Sequence, residues 1–499
     1  MRQTASAVTV PGLPAIASLV FGAGAIVMAL ELVASRLLAP YFGNSLFVWT
    51  SIIGVMLGFM SLGYFLGGRY ADTHLDSGNL FWILVAAGVA VALVAFSEAS
   101  LLPWLARGHS LRLFAVLSAT VIFAVPSTLL GMVTPYCIRL RMHAIEDSGA
   151  TVGSLYAIST LGSIVGTFGA GFWLISLLGT RDLIALLAAG LAMLSLLVVP
   201  RKADPRKFLG LGLLVVLVVL AFTDVAAGAV TIDTPYDRYL LREGRDPATG
   251  EVLIGLSRDQ ISAESAAYKA SGRPFRFDYY NYYDLAVQLS SPVDRALMIG
   301  GGTLSYPRLF AEANPKATID VVEIDPALAD IARQTFGYVD SPRINLFHED
   351  GRTFLNRADG TYDVVFVDAF KSEATVPYQL TSREAWQLCY DILDDDGVLV
   401  MNVIASPSDE RARFFNSLYA TIGSVFPSVQ AFDVQDGSGK GLQNTSIIAA
   451  KNPRLDVRRA VETRAPEYAA RALPAHSPPA GTRLLTDDFA PVDQYLLGF

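Results

Sequence analysis

Residues 295–303 read Arg-Ala-Leu-Met-Ile-Gly-Gly-Gly-Thr, an apolar strand pattern running into three glycines, Gly300, Gly301 and Gly302. Glycines at a strand-to-helix turn let backbone approach a ligand closely, and the pattern predicts a helix over 306–313 behind them. The next apolar run, 319–325, ends in acids, and its Glu323 falls 23 residues beyond Gly300. A strand-end carboxylate at that distance accepts both hydroxyls of a ribose, so the two segments together describe nucleotide binding. Two more strand patterns close on acids. Residues 344–351 end in Asp350-Gly351, suited to set a carboxylate near an adenine amino group, and 362–368 end in Asp368. Four tyrosines, Tyr279, Tyr280, Tyr282 and Tyr283, offer ring faces to a cation, although the same run also reads as ordinary strand core or an interface. Asp325, just before Pro326, also reads as a helix cap, as does Asp368.

The elements that must position these residues are parallel strands alternating with helices, because ligands gather outside the carboxyl ends of such strands. A fifth strand is expected at 397–403 after a helix at about 381–393, with a later strand at 446–450. Short alternating segments at 237–242 and 251–262 predict a small β region ahead of the sheet. The fold expected from residue 293 to 499 is an α/β Rossmann-like domain of the class I methyltransferase type. Residues 229–292 form its linker and small N-terminal β region, and 1–228 a helical polytopic membrane domain.

Composition separates the same parts. Residues 1–228 hold 12 Lys/Arg and 9 Asp/Glu, leaving 26 and 37 for the remainder, a net charge of −11. Such a surplus of carboxylates repels phosphate, which excludes nucleic acid as the expected partner and favours a small cationic metabolite. Cys137 and Cys389 stand apart without metal-ligand spacing, so both read as apolar filler and no metal is expected.

Seven apolar runs, near 15–38, 46–68, 79–99, 110–134, 152–178, 182–199 and 207–225, approach the roughly 20 residues a bilayer requires. The lipid bilayer is therefore an expected partner, and a multi-pass place in the cell (inner) membrane follows. Gly162, Gly166 and Ala170 recur every four residues, a small-residue stripe read as helix packing. Glu31 is an ionisable group inside a span, read either as a functional group or as the ion-pair partner of Arg36 or another arginine. Positive-inside counting favours an inside N-terminus by eight Lys/Arg to four. With seven spans that puts the C-terminal domain outside, whereas a cytosolic substrate puts it inside, so the side stays open. The sequence Gly67-Gly68-Arg69-Tyr70-Ala71-Asp72 resembles a cytoplasmic loop motif of major-facilitator transporters.

By the order of its glycine turn, Glu323, Asp350-Gly351 and Asp368, the chain from about 235 to 499 resembles the spermidine synthase-like proteins, in the polytopic form where a membrane domain precedes the synthase domain. The resemblance implies a nucleoside-binding set of Gln260, Gly300, Gly301, Gly302, Glu323, Asp350 and Gly351. Tyr282-Tyr283-Asp284 stands at the family's Tyr-His-Glu, and Asp368 at the first acid of its catalytic loop, implying catalytic roles for Tyr283, Asp284 and Asp368. It further implies aminopropyl transfer from decarboxylated S-adenosylmethionine to a diamine with release of 5′-methylthioadenosine, and a homodimer. The segment containing Asp487-Asp488 resembles one that folds over the family's site; a solvated tail is the other reading.

The departures shape the expectation. Thr303 stands where the family has Asp after its glycines, and Lys371 where it has a second, proton-accepting Asp. A diamine needs carboxylates about its charged ends and a base for its proton, whereas Lys371 repels it. Glu373 is a substitute if the loop is remodelled. The expected enzyme therefore takes S-adenosylmethionine or its decarboxylated form and releases 5′-methylthioadenosine, by aminopropyl transfer to an amine or by intramolecular, lyase-like cyclisation of the donor. A methyltransferase, releasing S-adenosylhomocysteine, and a transporter or sensor that binds nucleoside without turnover are the alternatives.

Overall fold

The structure is a computed structural model. It describes residues 11–42, 45–105, 111–142, 148–199, 205–222, 229–258, 263–290, 292–369, 376–409, 411–435, 442–474 and 478–496. The chain divides into two units, Met1–Ala227 with Thr231–Arg238, and Gly228–Val230 with Tyr239–Phe499. The sequence division at 228/229 therefore differs at 231–238, which packs with the helical unit.

Among the described residues of the first unit, six helices are long and apolar enough to cross a bilayer: Leu13–Phe42, Leu46–Thr73, Ser77–Ser97, Leu113–Arg141, Gly149–Leu174 and Leu177–Leu196. The seventh apolar run forms a shorter helix, Pro205–Phe222, of 18 residues. At 1.5 Å per residue that is about 27 Å, short of a hydrocarbon core of about 30 Å. The small-residue stripe is a packing surface. A Cβ on Gly162 would lie 2.0 Å from the Phe21 carbonyl oxygen, and one on Gly166 2.1 Å from that of Ala25, so two helix backbones touch there.

The reading of Glu31 as a partner of Arg36 is corrected. Side chains five apart on a helix point about 140° from each other. Arg36 instead donates to the carbonyls of Thr234, at 2.8 Å, and Pro235, at 2.5 Å. Glu31 has no hydrogen-bond or ion-pair partner among the described residues. Beside that contact the helix breaks at Gly179, φ +78°, and Asp233 accepts from the Thr180 amide at 3.2 Å and its hydroxyl at 2.7 Å. It thereby caps the segment that resumes there.

After the helices comes a small sheet in the order β1 (Ala229–Asp233), β2 (Arg238–Arg245), β3 (Val252–Ser257), β4 (Ser265–Tyr268). The main sheet comprises β5 (Arg295–Ile299), β6 (Thr318–Val322), β7 (Ile344–Phe347), β8 (Tyr362–Val367), β9 (Leu393–Ala405), β10 (Ser428–Asp433) and β11 (Gln443–Ala450). Its order is β10-β11-β9-β8-β5-β6-β7, with β7, β6, β5, β8 and β9 parallel and the β9, β11 and β10 pairings antiparallel. Strand order reverses between β5 and β8, so their carboxyl ends flank the crevice where such sheets hold ligands. Apolar side chains bury both faces, as helix-covered parallel sheets require.

Candidate functional site

Successive side chains of a strand point to opposite faces. On one face Val364 and Phe366 of β8, Val398 and Val400 of β9 and Ile448 of β11 belong to a single apolar cluster. At the carboxyl edge the same rows turn polar, into Asp368, Asn402 and Ser446. The Asn402 amide donates to Asp368 Oδ1 at 3.1 Å. The helix Tyr280–Ser290 covers this face, with the Tyr283 ring 5.4 Å from Phe366 and 5.5 Å from Tyr279. The tyrosine run is thus buried helix rather than the strand core its aromatic content suggested.

Burial pushes the Asp368 carboxyl up to about 6, against the opposing pull of the Asn402 amide, the Tyr283 and Tyr279 hydroxyls and the Arg258 charge. Tyr283 completes no hydrogen bond of good geometry, yet its hydroxyl faces Asp368 closely enough to favour the charged form. A carboxylate of that basicity can exchange protons near neutral pH. Among the described residues, two buried oxygens on this side, Asn402 Oδ1 and Ser446 Oγ, have no hydrogen-bond partner.

The glycine turn lies against the Asp368 backbone. Gly300 has φ +90°, and a Cβ there would sit 2.3 Å from the Asp368 carbonyl oxygen, so only glycine allows the approach. Leu304, at φ +59°, is left-handed without being glycine, a local strain next to the turn. Glu323 is buried and knits the turn together: Oε2 accepts from the Gly301 and Gly302 amides at 3.0 and 3.1 Å, and Oε1 from the Asp325 amide at 3.1 Å. Asp325 accepts from the Ala327 amide at 3.0 Å, the helix-start role read in the sequence, and also from the Tyr239 hydroxyl at 3.0 Å. Asp350 caps the helix Gly351–Arg357 through the Thr353 amide at 3.0 Å. A Cβ on Gly351 would lie 2.5 Å from Ile299 Cγ2, so glycine lets that helix start against the end of β5.

The structure brings together Gly300, Gly301, Gly302, Glu323, Asp368 and Tyr283. Asp284, one helical step beyond Tyr283, accepts from Arg276 and from the Tyr306 hydroxyl, whose ring lies 4.8 Å from that of Tyr283. Gln260, Lys371 and Glu373 lie outside the described residues. Asp487 is neither a solvated tail nor a cover for Asp368. It accepts from Arg352 at 2.7 and 3.1 Å and from Ser382 at 2.6 Å.

Two features escaped the sequence reading. Asn402 interrupts an apolar strand on the face of Val398 and Val400, a signal that period-two alternation makes legible. Arg258 pairs with Glu264 at 2.6 Å near Asp368, and no spacing in the sequence announces that.

These positions define an α/β unit whose ligand edge is built from a glycine turn and strand-end acids. Residues 284–453 match the spermine/spermidine synthase domain family, and over that span the chain is spermidine synthase-like. It is 31% identical over 236 residues to a probable polyamine aminopropyl transferase of Bifidobacterium longum, covering 42% of this chain and 52% of the relative. It is 28% identical over 213 residues to a polyamine aminopropyltransferase of Vibrio vulnificus, covering 40% and 69%. The chain thus spans about half the length of the first of these relatives. A solved probable spermidine synthase from Corynebacterium glutamicum aligns with TM-score 0.42 and 20% identity, over 52% of this chain and 97% of that one.

Proposed function

We propose that the α/β unit binds a sulfonium nucleoside, S-adenosylmethionine or its decarboxylated form, and releases 5′-methylthioadenosine. The observation that carries this is the buried carboxylate of Asp368, basic enough to take a proton, on a residue whose backbone packs directly on the glycine turn. In this reading Gly300, Gly301 and Gly302 admit the nucleoside backbone-close, and Glu323 accepts a ribose hydroxyl with the lone pair that Oε1 retains. Asp350 and Gly351 meet the adenine. Tyr283 and Tyr279 face the sulfonium, and Asp284 positions the tyrosines through Tyr306.

The nucleophile is either an acceptor amine or the donor's own amine or carboxylate. In both cases it forms a bond to the carbon next to sulfur, the carbon–sulfur bond breaks, and its electron pair leaves a neutral thioether. When an ammonium is the nucleophile's resting form, Asp368 takes its proton. With Lys371 in place of a second carboxylate, attack from within the donor is favoured, because a tethered nucleophile needs no second cationic binding site. Six spanning helices and an inside N-terminus would put this unit on the cytoplasmic side, beside cytosolic donor.

The test is incubation of purified protein with each donor, with and without putrescine, and product identification by mass spectrometry. Methylthioadenosine without putrescine supports cyclisation, and its appearance only with putrescine supports ordinary transfer. S-adenosylhomocysteine, or no product from either donor, overturns the proposal.

A further inference from the structure

Asn402 stands where an apolar residue would serve the strand better. On β9 it follows Val398 and Val400 on the same face, it is only 6% exposed, and a buried amide in such a row costs stability unless it is hydrogen-bonded. Its bond goes to Asp368: Nδ2 donates to Oδ1 at 3.1 Å. With that end of the planar amide on Asp368, the Asn402 oxygen is turned away, and it has no partner among the described residues.

Both backbones are fixed by the sheet. Asn402 is paired with Ser446 across the β9/β11 ladder, Val367 with Met401 beside it, and the Asp368 amide donates to the Ile299 carbonyl at 2.8 Å. The bond therefore joins two strand ends held in register. It claims one carboxylate oxygen, favours the charged form, and leaves Oδ2 to exchange protons. The other groups facing Asp368 are the Tyr279, Tyr280 and Tyr283 hydroxyls and the Arg258 guanidinium. Burial raises all three tyrosines far above neutral, and Arg258 stays charged and paired with Glu264 at 2.6 Å, so none of the four changes charge near neutral pH.

We propose that Asn402 is a positioning residue of the reaction: by holding Oδ1 it keeps the Asp368 carboxylate aimed and charged, so that Oδ2 takes the proton of the attacking amine. This rests on the reaction proposed above and names the residue that sets its base.

The test compares the full chain with Asn402→Leu, which fills the site without a donor, and Asn402→Gln, which keeps one. Methylthioadenosine formation is followed against pH, and melting is measured at about pH 8 and pH 4. Wild-type activity should rise through about 6. In Asn402→Leu the midpoint should move up by about one unit, the scale of one hydrogen bond to a charged group, so that the rate at pH 6 relative to the high-pH plateau falls about five-fold. Asn402→Gln should bring the midpoint part of the way back. A loss that is equal at every pH, a midpoint that stays in Asn402→Leu, or one that Asn402→Gln does not bring back overturns the inference.

The melting measurement needs no turnover. Because the folded Asp368 value lies above the unfolded one, losing the donor raises it further and deepens the destabilisation by the charged carboxylate above about pH 6 only. Asn402→Leu should therefore lose more melting temperature against wild type at pH 8 than at pH 4, and the difference should vanish in combination with Asp368→Asn. The two proposals fail separately. A wild type that forms no methylthioadenosine, with the pH-dependent melting loss present, removes the reaction alone; methylthioadenosine formation with a melting loss equal at both pH values removes the role of Asn402 alone.

Discussion

The two sides of the β5/β8 crevice are finished to different degrees. On the glycine side every oxygen of Glu323 is engaged by backbone amides, and Asp350 is committed to a helix cap. On the Asp368 side a carboxylate of raised basicity stands near an amide and a hydroxyl oxygen, Asn402 Oδ1 and Ser446 Oγ, that have no partner among the described residues. Buried polar atoms are normally satisfied, and leaving one bare costs about 1–3 kcal/mol. The difference teaches that the glycine side is rigid before any ligand arrives, while the other side carries a cost that a ligand with N–H donors would offset.

That contrast can be broken most directly at Asp368. Asp368→Asn should lower turnover by roughly 10²–10⁴-fold, the usual range for a lost general base, read as methylthioadenosine formed per minute. In the wild type, activity should climb as pH rises through about 6, where Asp368 ionises. The stability effect has the opposite sense. Because the folded value lies above the unfolded one of about 3.9, the charged carboxylate destabilises the fold once pH passes about 6, and the effect vanishes below about 4. Asp368→Asn should therefore melt higher than wild type at pH 8, by roughly 2–3 kcal/mol at most, and equally at pH 4. An unchanged melting difference across that range would place the carboxylate in water.

Glu323→Ala should do the reverse, costing stability and ligand together. Three backbone amides lose their acceptor, roughly 3–5 kcal/mol in sum, visible as a large fall in melting temperature and loss of methylthioadenosine binding. If binding survives with the melting temperature, the glycine side is not organised by Glu323. Asp487→Ala removes a pair shared with Arg352 and should cost about 1 kcal/mol without changing turnover, since that pair contacts neither Asp368 nor Glu323. Smallest is Ser446→Ala, which deletes an unpartnered buried hydroxyl and should leave the melting point unchanged or raised by up to about 1 kcal/mol. A marked fall would show that Ser446 has a partner after all.

Much of this arrangement was legible beforehand. β5, β6 and β8 follow from short apolar runs bounded by glycine or acid, and the same boundaries placed Gly300, Glu323 and Asp368 at one sheet edge. The tyrosine run misled because aromatic residues favour strands in isolation, whereas here tertiary packing against Phe366 makes them one face of a helix. β10 and β4 went unread, being short and lacking sharp turn signals. The Arg258 charge acts on Asp368 only because long-range folding brings the end of β3 toward that edge, which local sequence does not encode. Arg36 likewise finds carbonyls 198 and 199 residues away.

The clasp between Arg352 and Asp487 carries a consequence for how the chain is made. The two residues are 135 positions apart. At synthesis rates of about 5–20 residues per second, roughly ten seconds pass between the emergence of Arg352 and that of Asp487. Throughout that interval the helix begun by Asp350 lacks its clasp, so that helix start is tied down later than the glycine turn beside it.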